Sequence, residues 1–259
     1  MSRISQQAWE WLGHELDRWS AAGQKACFWW RDDDATAADD ALSRLIRLAA
    51  EFRVPLALAV IPARCETELT GLVGDNSAVS VLQHGYAHIN HALPRQLKRE
   101  LGGQREMAHL LADLQTGYER LDELFGEQFC PALVPPWNRI DSPLLADLSR
   151  IGLRGLSTYR VRKQAWPAPG LLQVNAHLDP INWRHDRGFI GIWPALAHLV
   201  QHLAAKRSGY RDADEPTGIL SHHLVQNEAT WHFLEQLLTF LTTHPAVVWR
   251  NSHTIWAPR

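Results

Sequence analysis

The sequence predicts an α/β fold in which a parallel sheet curls into a closed or nearly closed βα barrel. Short apolar runs alternate with segments of helical apolar spacing along nearly all of the 259 residues. This alternation is typical of parallel strands joined by crossover helices, and the length favours a barrel. No repeat or Ser/Gly-rich linker interrupts it, so we expect one domain over residues 1–259. An open, doubly wound sheet is the alternative.

The predicted strands are short apolar runs bounded by turn residues or charges. They cover residues 26–30, 55–61, 79–83, 132–134, 155–158, 171–176, 219–221 and 246–249. Each predicted helix carries an apolar stripe, and Pro194 opens one of them in the favoured first-turn position. The helices cover residues 1–22 (the leading helix), 39–52, 94–125, 142–151, 194–209 and 228–242. A break at Gly102-Gly103 would divide the long helix 94–125 into two.

The charge and cysteine content exclude several classes of protein. A formal net charge of −2 gives no reason to expect nucleic acid or an anionic membrane surface as a partner. Three cysteines without a CxxC spacing argue against a disulfide framework and favour a reducing compartment. No apolar run has the length of a membrane span, and the first twenty residues lack the features of a signal peptide. We therefore expect a cytoplasmic protein.

Three adjacent carboxylates, Asp32, Asp33 and Asp34, follow Arg31 at the end of the first predicted strand. Like charges this close repel one another, so the cluster is costly unless a cation offsets it. In βα barrels the reactive side chains follow the carboxyl ends of strands, which is where these residues lie. Taken alone, the segment also fits a solvated helix N-terminus capped by aspartate.

The third predicted strand is followed by His84 and His88, which are four residues apart. This spacing can present two imidazoles to one metal ion. Imidazole and carboxylate ligands suit a divalent transition metal, with zinc as the default and cobalt, nickel or iron as alternatives. Taken alone, such a pair is also typical of ordinary surface histidines.

The fourth and sixth predicted strands are followed by polar and aromatic side chains. Trp137 offers a flat face for a sugar ring, and Asn138 and Arg139 can donate hydrogen bonds to a ligand. Asp179 can orient a catalytic histidine, or it can be a turn residue before proline. Trp183 ends the segment that begins at Asp179 and offers a second flat aromatic face for a sugar ring.

His222 and His223 follow the seventh predicted strand. Neighbouring residues on an extended segment point to opposite sides, so one of them is expected to face the barrel opening while the other packs. A histidine there can act as the general acid that protonates a leaving amine. A surface or helix-capping pair is the alternative.

Taken together, these segments resemble the motifs of the polysaccharide deacetylase family, the NodB-homology carbohydrate esterases. The matching segments are Asp32-Asp33-Asp34-Ala35, His84 to His88, Pro136-Trp137, Asp179 to Trp183, and Leu220 to His223. The resemblance covers residues 31–223 and implies a distorted (β/α)7-type barrel. It also implies hydrolysis of an acyl group, with a divalent metal ion as cofactor.

Carried over residue by residue, the resemblance implies a role for each matching side chain. Asp33 would be the general base and His222 the general acid. Asp34, His84 and His88 would bind the metal ion.

The sequence departs from the family pattern at several positions. Asp32 replaces an aromatic residue and Ala35 a glycine, so the register among the three aspartates can differ by one. Gly85 stands where serine or threonine is usual.

The motif around Trp137 lacks its usual arginine, because position 133 is Leu133. Arg139 or Arg31 would then supply the guanidinium that partners the base. At the last motif, His223 is an alternative to His222 as the acid.

We therefore expect a metal-dependent hydrolase that removes an N-acyl group from an amino sugar or a glycan precursor. The expected acyl group is acetyl. The substrate would be a small molecule or an oligosaccharide. The residues expected to bind it are Trp137, Asn138, Arg139, Trp183, Arg31 and His223. One alternative is hydrolysis of a non-sugar amide or cyclic imide, and another is a catalytically silent glycan-binding module.

Overall fold

The computed structural model describes residues 3–74 and 76–257, and within them nine strands form one sheet. The strands are β1 (Ala26–Ala35), β2 (Leu56–Val60), β3 (Val79–His84), β4 (Phe129–Val134), β5 (Gly155–Leu156), β6 (Leu172–Gln173), β7 (Ala176–Leu178), β8 (Thr217–Ser221) and β9 (Val247–Trp249). The helices are α1 (Arg3–Ala21), α2 (Asp40–Phe52), α3 (Glu68–Val73), α4 (Met107–Phe125), α5 (Ile192–Arg207), α6 (Glu228–Thr243) and α7 (Ser252–Ile255). No helix of the described chain has the length and apolar character needed to cross a membrane.

The sheet has the topology of a distorted barrel. Its order is β6-β5-β4-β3-β2-β1-β8-β7, with β9 beside β1, and these strand pairs are parallel. This is the cyclic order of a barrel that is open between β6 and β7. The predicted barrel is confirmed, and the doubly wound alternative does not hold.

The predicted sixth strand, 171–176, is in fact two short strands on opposite edges of that opening. β6 pairs with β5, whereas β7 pairs with β8. Asn175 lies between them, and its side chain accepts a hydrogen bond from the Thr158 amide (2.8 Å) and donates one to the Arg160 carbonyl (2.7 Å). The buried side chain thus links the two edges where the ladder is interrupted.

The two faces of the sheet have different environments because side chains alternate along each strand. Trp29 points into the barrel, where it packs edge-on against Trp256 at a ring distance of 5.4 Å. Trp30 points outward into the larger core formed with the helices. Both tryptophans are 1% exposed.

The prediction of a helix over 94–125 is wrong for residues 94–106. Residues 90–106 form an irregular loop, and α4 begins only at Met107. Gly102 and Gly103 have φ values of +142° and +77°, which an α-helix does not accommodate. The other predicted helices are present within a few residues, although the segment 142–151 is a 3₁₀ helix. Positions 1 and 2 of the predicted leading helix lie outside the described residues.

Candidate active site

Strand β1 brings two neighbouring aspartates to the carboxyl end of the barrel. Arg31 and Asp33 share the inner side of the strand with Trp29, whereas Asp32 points the opposite way. Asp34 would ordinarily follow Asp32, but its φ of +75° redirects the side chain toward the opening. Asp33 and Asp34 therefore both line the same cavity.

Asp34, His84 and His88 form what we call the Asp-His-His cluster. Asp34 Oδ1 lies 3.0 Å from His84 Nε2 and 3.3 Å from His88 Nε2. One ligand atom from each residue falls within 4.8 Å of the others. Among residues 3–74 and 76–257, no other group of three or more His, Cys, Asp or Glu side chains converges in this way.

The cluster has the donor set and orientation that a divalent metal ion requires. His84 Nδ1–H donates to the Val134 carbonyl at 2.9 Å. In the neutral ring, Nε2 therefore carries the lone pair that can bind a metal ion. A backbone carbonyl in this role commonly fixes the orientation of a ligating histidine. Two imidazoles and one carboxylate, with an open side toward the cavity, suit a zinc-like ion that keeps further positions for water or substrate.

The pKa directions favour one positive charge shared between Asp34 and His84, beside a neutral His88. Burial opposes ionisation of Asp34, but the His84 hydrogen bond and the nearby imidazoles hold its pKa well below the ordinary value. Burial also opposes the charged form of His84, yet Asp34 and Asp33 raise its pKa. Burial and the charge of His84 lower the pKa of His88. The cluster can therefore accommodate a cation in place of the shared proton.

A buried glutamate fixes the segment that carries the two histidines. The Glu100 carboxylate, 1% exposed, accepts hydrogen bonds from the amides of Tyr86 (3.1 Å) and Ala87 (2.7 Å). Gly85 has φ +58°, and a Cβ there would lie 2.0 Å from Glu100 Oε2 and 2.6 Å from Pro136. This close approach gives a physical reason for glycine at the position where the family has serine or threonine.

The partner of the candidate base is Arg31. Its Nε lies 2.8 Å from Asp33 Oδ1, and its Nη2 donates to Asp33 Oδ2 at 3.0 Å. Arg31 is fully buried and also donates to Asn138 Oδ1 (2.8 Å) and Ser157 Oγ (2.6 Å). Arg139 instead donates to the Lys98 carbonyl at 3.0 Å. Of the two arginines that the sequence left open, Arg31 is thus the one that contacts Asp33.

The candidate acid, His222, lies beside the candidate base. His222 Nε2 is 3.9 Å from Asp33 Oδ2, and its ring packs edge-on against Trp183 with centroids 4.7 Å apart. Asp179 accepts hydrogen bonds from the Trp183 indole (2.7 Å) and the Ile181 amide (3.0 Å). Burial raises the pKa of Asp179. His222 Nδ1 has no hydrogen-bond partner among the described residues.

His223 lies behind the site rather than in it. Its side chain is fully buried, Nδ1 forms a close ion pair with Asp32, and its amide donates to Asp32 Oδ2 at 3.1 Å. Ser221 Oγ donates to the same carboxylate oxygen at 2.6 Å. The expected division of the two histidines is observed: His222 faces the opening, and His223 packs.

The cavity at the carboxyl end of the barrel gathers the remaining predicted residues. It encloses about 340 Å³, within the range of about 300–1,000 Å³ for small-molecule sites. It is lined by Asp33, Asp34, His84, His88, Trp137, Asn138, Arg139, Tyr159, Asp179, Trp183 and His222. Trp137 and Asn138 have positive φ values of 55° and 56°, and the Trp137 ring lies 4.4 Å from that of His88.

Sequence reasoning missed Tyr159 and Glu100. Tyr159 follows the fifth strand, so the rule that placed the other residues also applies to it. Burial raises the pKa of its hydroxyl to about 12, which keeps it protonated as a donor. Glu100 carries no local signal, because its partners lie 13 and 14 residues earlier in a segment expected to be separate.

A comparison with solved structures finds the same fold in several carbohydrate-modifying enzymes. A Mycobacterium smegmatis protein assigned as a polysaccharide deacetylase has a TM-score of 0.59 and 17% identity, and the match covers 90% of this chain and 89% of that one. A peptidoglycan N-acetylglucosamine deacetylase has a TM-score of 0.56 and 12% identity over 91% and 90%. A family 4 acetyl xylan esterase from Clostridium thermocellum, in complex with a cobalt ion, has a TM-score of 0.54 and 14% identity over 88% and 91%.

No protein-family model matches the sequence, and the comparison with curated proteins gives no match. The likeness is thus one of structure, at low sequence identity and over nearly the whole length of each chain. The chain has the fold of the polysaccharide deacetylases and family 4 carbohydrate esterases, as its motifs implied.

Proposed function

We propose that the protein is a metal-dependent hydrolase that removes an N-acetyl group from an amino sugar or glycan precursor. The observation that carries the proposal is the convergence of three functional groups on one cavity. These are the Asp-His-His cluster, a carboxylate held by a buried arginine, and a histidine 3.9 Å from that carboxylate. Mere binding of a glycan needs neither a positioned base nor a positioned acid.

The cluster is the proposed metal site. Asp34, His84 and His88 would hold a divalent ion, with zinc as the default and cobalt, nickel or iron as alternatives. Such an ion supplies Lewis-acid chemistry, which acidifies a water molecule and polarises an acyl carbonyl. The cobalt ion bound to the acetyl xylan esterase of similar fold supports this choice of chemistry.

Proton transfer would be carried by two side chains. Asp33 would remove a proton from the attacking water, and the contact with Arg31 holds this carboxylate in its orientation. His222 would donate a proton to the departing nitrogen as the amide C–N bond breaks, which yields acetate and a free amine. Asp179 lies near enough for the charge of His222 to affect its pKa, so its role would be electrostatic rather than a direct hydrogen bond.

The aromatic side chains would position the sugar. Trp137 and Trp183 both line the cavity, beside His88 and His222 respectively. Flat faces of this kind suit the apolar face of a pyranose ring. The peptidoglycan N-acetylglucosamine deacetylase of similar fold supports an N-acetylated amino sugar as the substrate class. A cytoplasmic location remains our prediction.

The proposal is tested by acetate release from N-acetylglucosamine derivatives by protein reconstituted with zinc or cobalt. We expect turnover by the wild type and a fall of about 10²-fold or more in kcat for Asp33→Asn, the magnitude typical of a lost general base. Because Asp33 is not in the Asp-His-His cluster, metal content should be unchanged in this variant. Full metal occupancy without turnover would favour the silent binding module. Full activity of Asp33→Asn would mean that the base is assigned incorrectly.

A further inference from the structure

Two positive side chains lie on the Trp137 side of the cavity opening. Arg139 lines the cavity, and one of its Nη atoms donates to the Lys98 carbonyl. The Lys98 ammonium lies 5.9 Å from the centroid of the Trp137 ring, which also lines the cavity. The backbone bond and the ring contact therefore place both cations beside the surface on which a sugar would lie.

Neither cation is neutralised by a carboxylate. In the same region, Arg99 forms an ion pair with Asp141, and Arg105 forms one with Asp113 at 2.6 Å. By contrast, no carboxylate of the described residues lies within 4.0 Å of the charged nitrogens of Lys98 or Arg139. Two arginines of this loop are thus paired with carboxylates, whereas the two cations nearest the Trp137 ring and the cavity are not.

The carboxylates that line the cavity are already engaged. Asp33 is paired with Arg31, Asp34 belongs to the Asp-His-His cluster, and Asp179 accepts from Trp183 and Ile181. None of these three carboxylates forms an ion pair with Lys98 or Arg139.

The turn that carries Trp183 adds further positive side chains near the cavity. The turn that carries Trp183 also carries Arg184 and Arg187, both exposed and without an ion-pair partner among the described residues. The one acidic residue of that turn, Asp186, accepts a hydrogen bond from the Gly188 amide at 2.9 Å. With two arginines and one aspartate, this turn carries an excess of positive charge, although the whole chain has a formal net charge of −2.

We propose that the amino sugar bears a phosphate or diphosphate ester, which Arg139 and Lys98 bind while the N-acetyl group reaches the Asp-His-His cluster. The inference rests on the proposed function and narrows its substrate class. A planar guanidinium matches phosphate oxygens in pairs, and a lysine ammonium adds a compact second charge. A neutral oligosaccharide would leave both cations without a counter-charge. A sugar nucleotide and a lipid-linked sugar share this chemistry.

The test compares acetate release from N-acetylglucosamine 1-phosphate and from neutral N-acetylglucosamine under the same conditions. We expect the wild type to prefer the phosphate ester in kcat/KM by about tenfold or more, since charged hydrogen bonds of this kind change affinity by at least that factor. The double variant Lys98→Gln, Arg139→Gln should lose this preference, mainly through KM. Arg150→Gln is the matched control, because Arg150 is an exposed arginine paired with Asp147 away from the cavity.

Calorimetry supplies a readout that does not depend on turnover. Glucosamine 1-phosphate should bind the wild type and Arg150→Gln more tightly than glucosamine does, and the double variant should not distinguish the two. Once the preference is found, a nucleoside diphosphate sugar and a polyprenyl diphosphate sugar, assayed in parallel, identify the natural source of the phosphate.

The outcomes separate the two proposals. Equal or better turnover of the neutral sugar would overturn the phosphate inference and leave the deacetylase function intact. A preference that survives in the double variant would also overturn it. Absence of acetate release from every sugar by fully metallated protein would overturn both.

Discussion

Arg31 and Asp33, two residues apart on strand β1, form a buried pair beneath the Asp-His-His cluster, with Nε 2.8 Å from Oδ1 and Nη2 3.0 Å from Oδ2. Their side chains are 0% and 3% exposed. A two-residue separation on a strand places both on one face, so the charge partner of the proposed base comes from its own strand. This arrangement makes the loop arginine Arg139 unnecessary for that role.

Replacing Arg31 should therefore destabilise the protein and impair turnover together. Arg31→Gln leaves the Asp33 charge buried without its partner, which we expect to cost about 3–5 kcal/mol in the free energy of unfolding. Arg139→Gln, the matched control, removes a partly exposed side chain with one backbone bond and should change stability by about 0.5 kcal/mol or less. Urea unfolding of both variants measures the contrast. Similar losses of unfolding free energy in the two variants would show that the Arg31–Asp33 pair does not stabilise the protein as proposed.

Gly85 is expected to be intolerant of a side chain for a reason beyond its backbone angle. Gly85→Ala would place a Cβ against Glu100 and Pro136, whereas Gly23→Ala, with a similar φ of +67°, has nothing within 4 Å of its Cβ. Gly23→Ala should show only the left-handed backbone cost of about 1–2 kcal/mol. Gly85→Ala should be less stable than this control and should bind metal about 10–100-fold more weakly, because the histidine segment must shift. Chemical denaturation and zinc titration check the two parts, and equal behaviour of the variants would count against the close packing.

The buried Asp32–His223 pair should make stability depend on pH. Burial opposes the charged imidazole, but the charge of Asp32 outweighs it and raises the pKa of His223 above the ordinary 6.5. A raised folded-state pKa means that the stabilisation is complete below about pH 6.5 and is lost as pH rises through the higher folded value. Unfolding free energies between about pH 6 and 9 should thus fall more steeply for the wild type than for His223→Gln.

The control for this pH series is His232→Gln, which changes an exposed histidine without an ion-pair partner among the described residues. It should retain the wild-type slope. If His223→Gln retains that slope as well, the pair does not titrate as described.

The sequence was sufficient to predict which strand ends carry the site, for a physical reason. Parallel strands place their carboxyl ends on one side of a barrel, so Asp33, His84 and His222 had to meet if the strand assignments were correct. Short apolar runs gave those assignments reliably. The split of 171–176 into two strands was not predictable, because it depends on Asn175 bridging edges formed by distant segments.

Other details of the site also depend on non-local contacts. The loop at 90–106 has helical spacing in the sequence, yet Glu100 binds the amides of Tyr86 and Ala87 instead of continuing a helix. Asp34 reaches the cavity only because of its positive φ, which no pattern of neighbouring residues indicates. The choice between Arg31 and Arg139 required knowing where the loop after β4 runs.

The most direct test of the account is elemental analysis of the purified wild type beside the His84→Ala, His88→Ala double variant, both after reconstitution with zinc. His91→Ala is a matched control, since His91 is an exposed histidine of the following loop outside the Asp-His-His cluster. We predict close to one zinc or neighbouring transition-metal ion per wild-type and His91→Ala chain, and none in the double variant. Equal, negligible metal in all three would contradict the proposed metal site and, with it, the hydrolase mechanism.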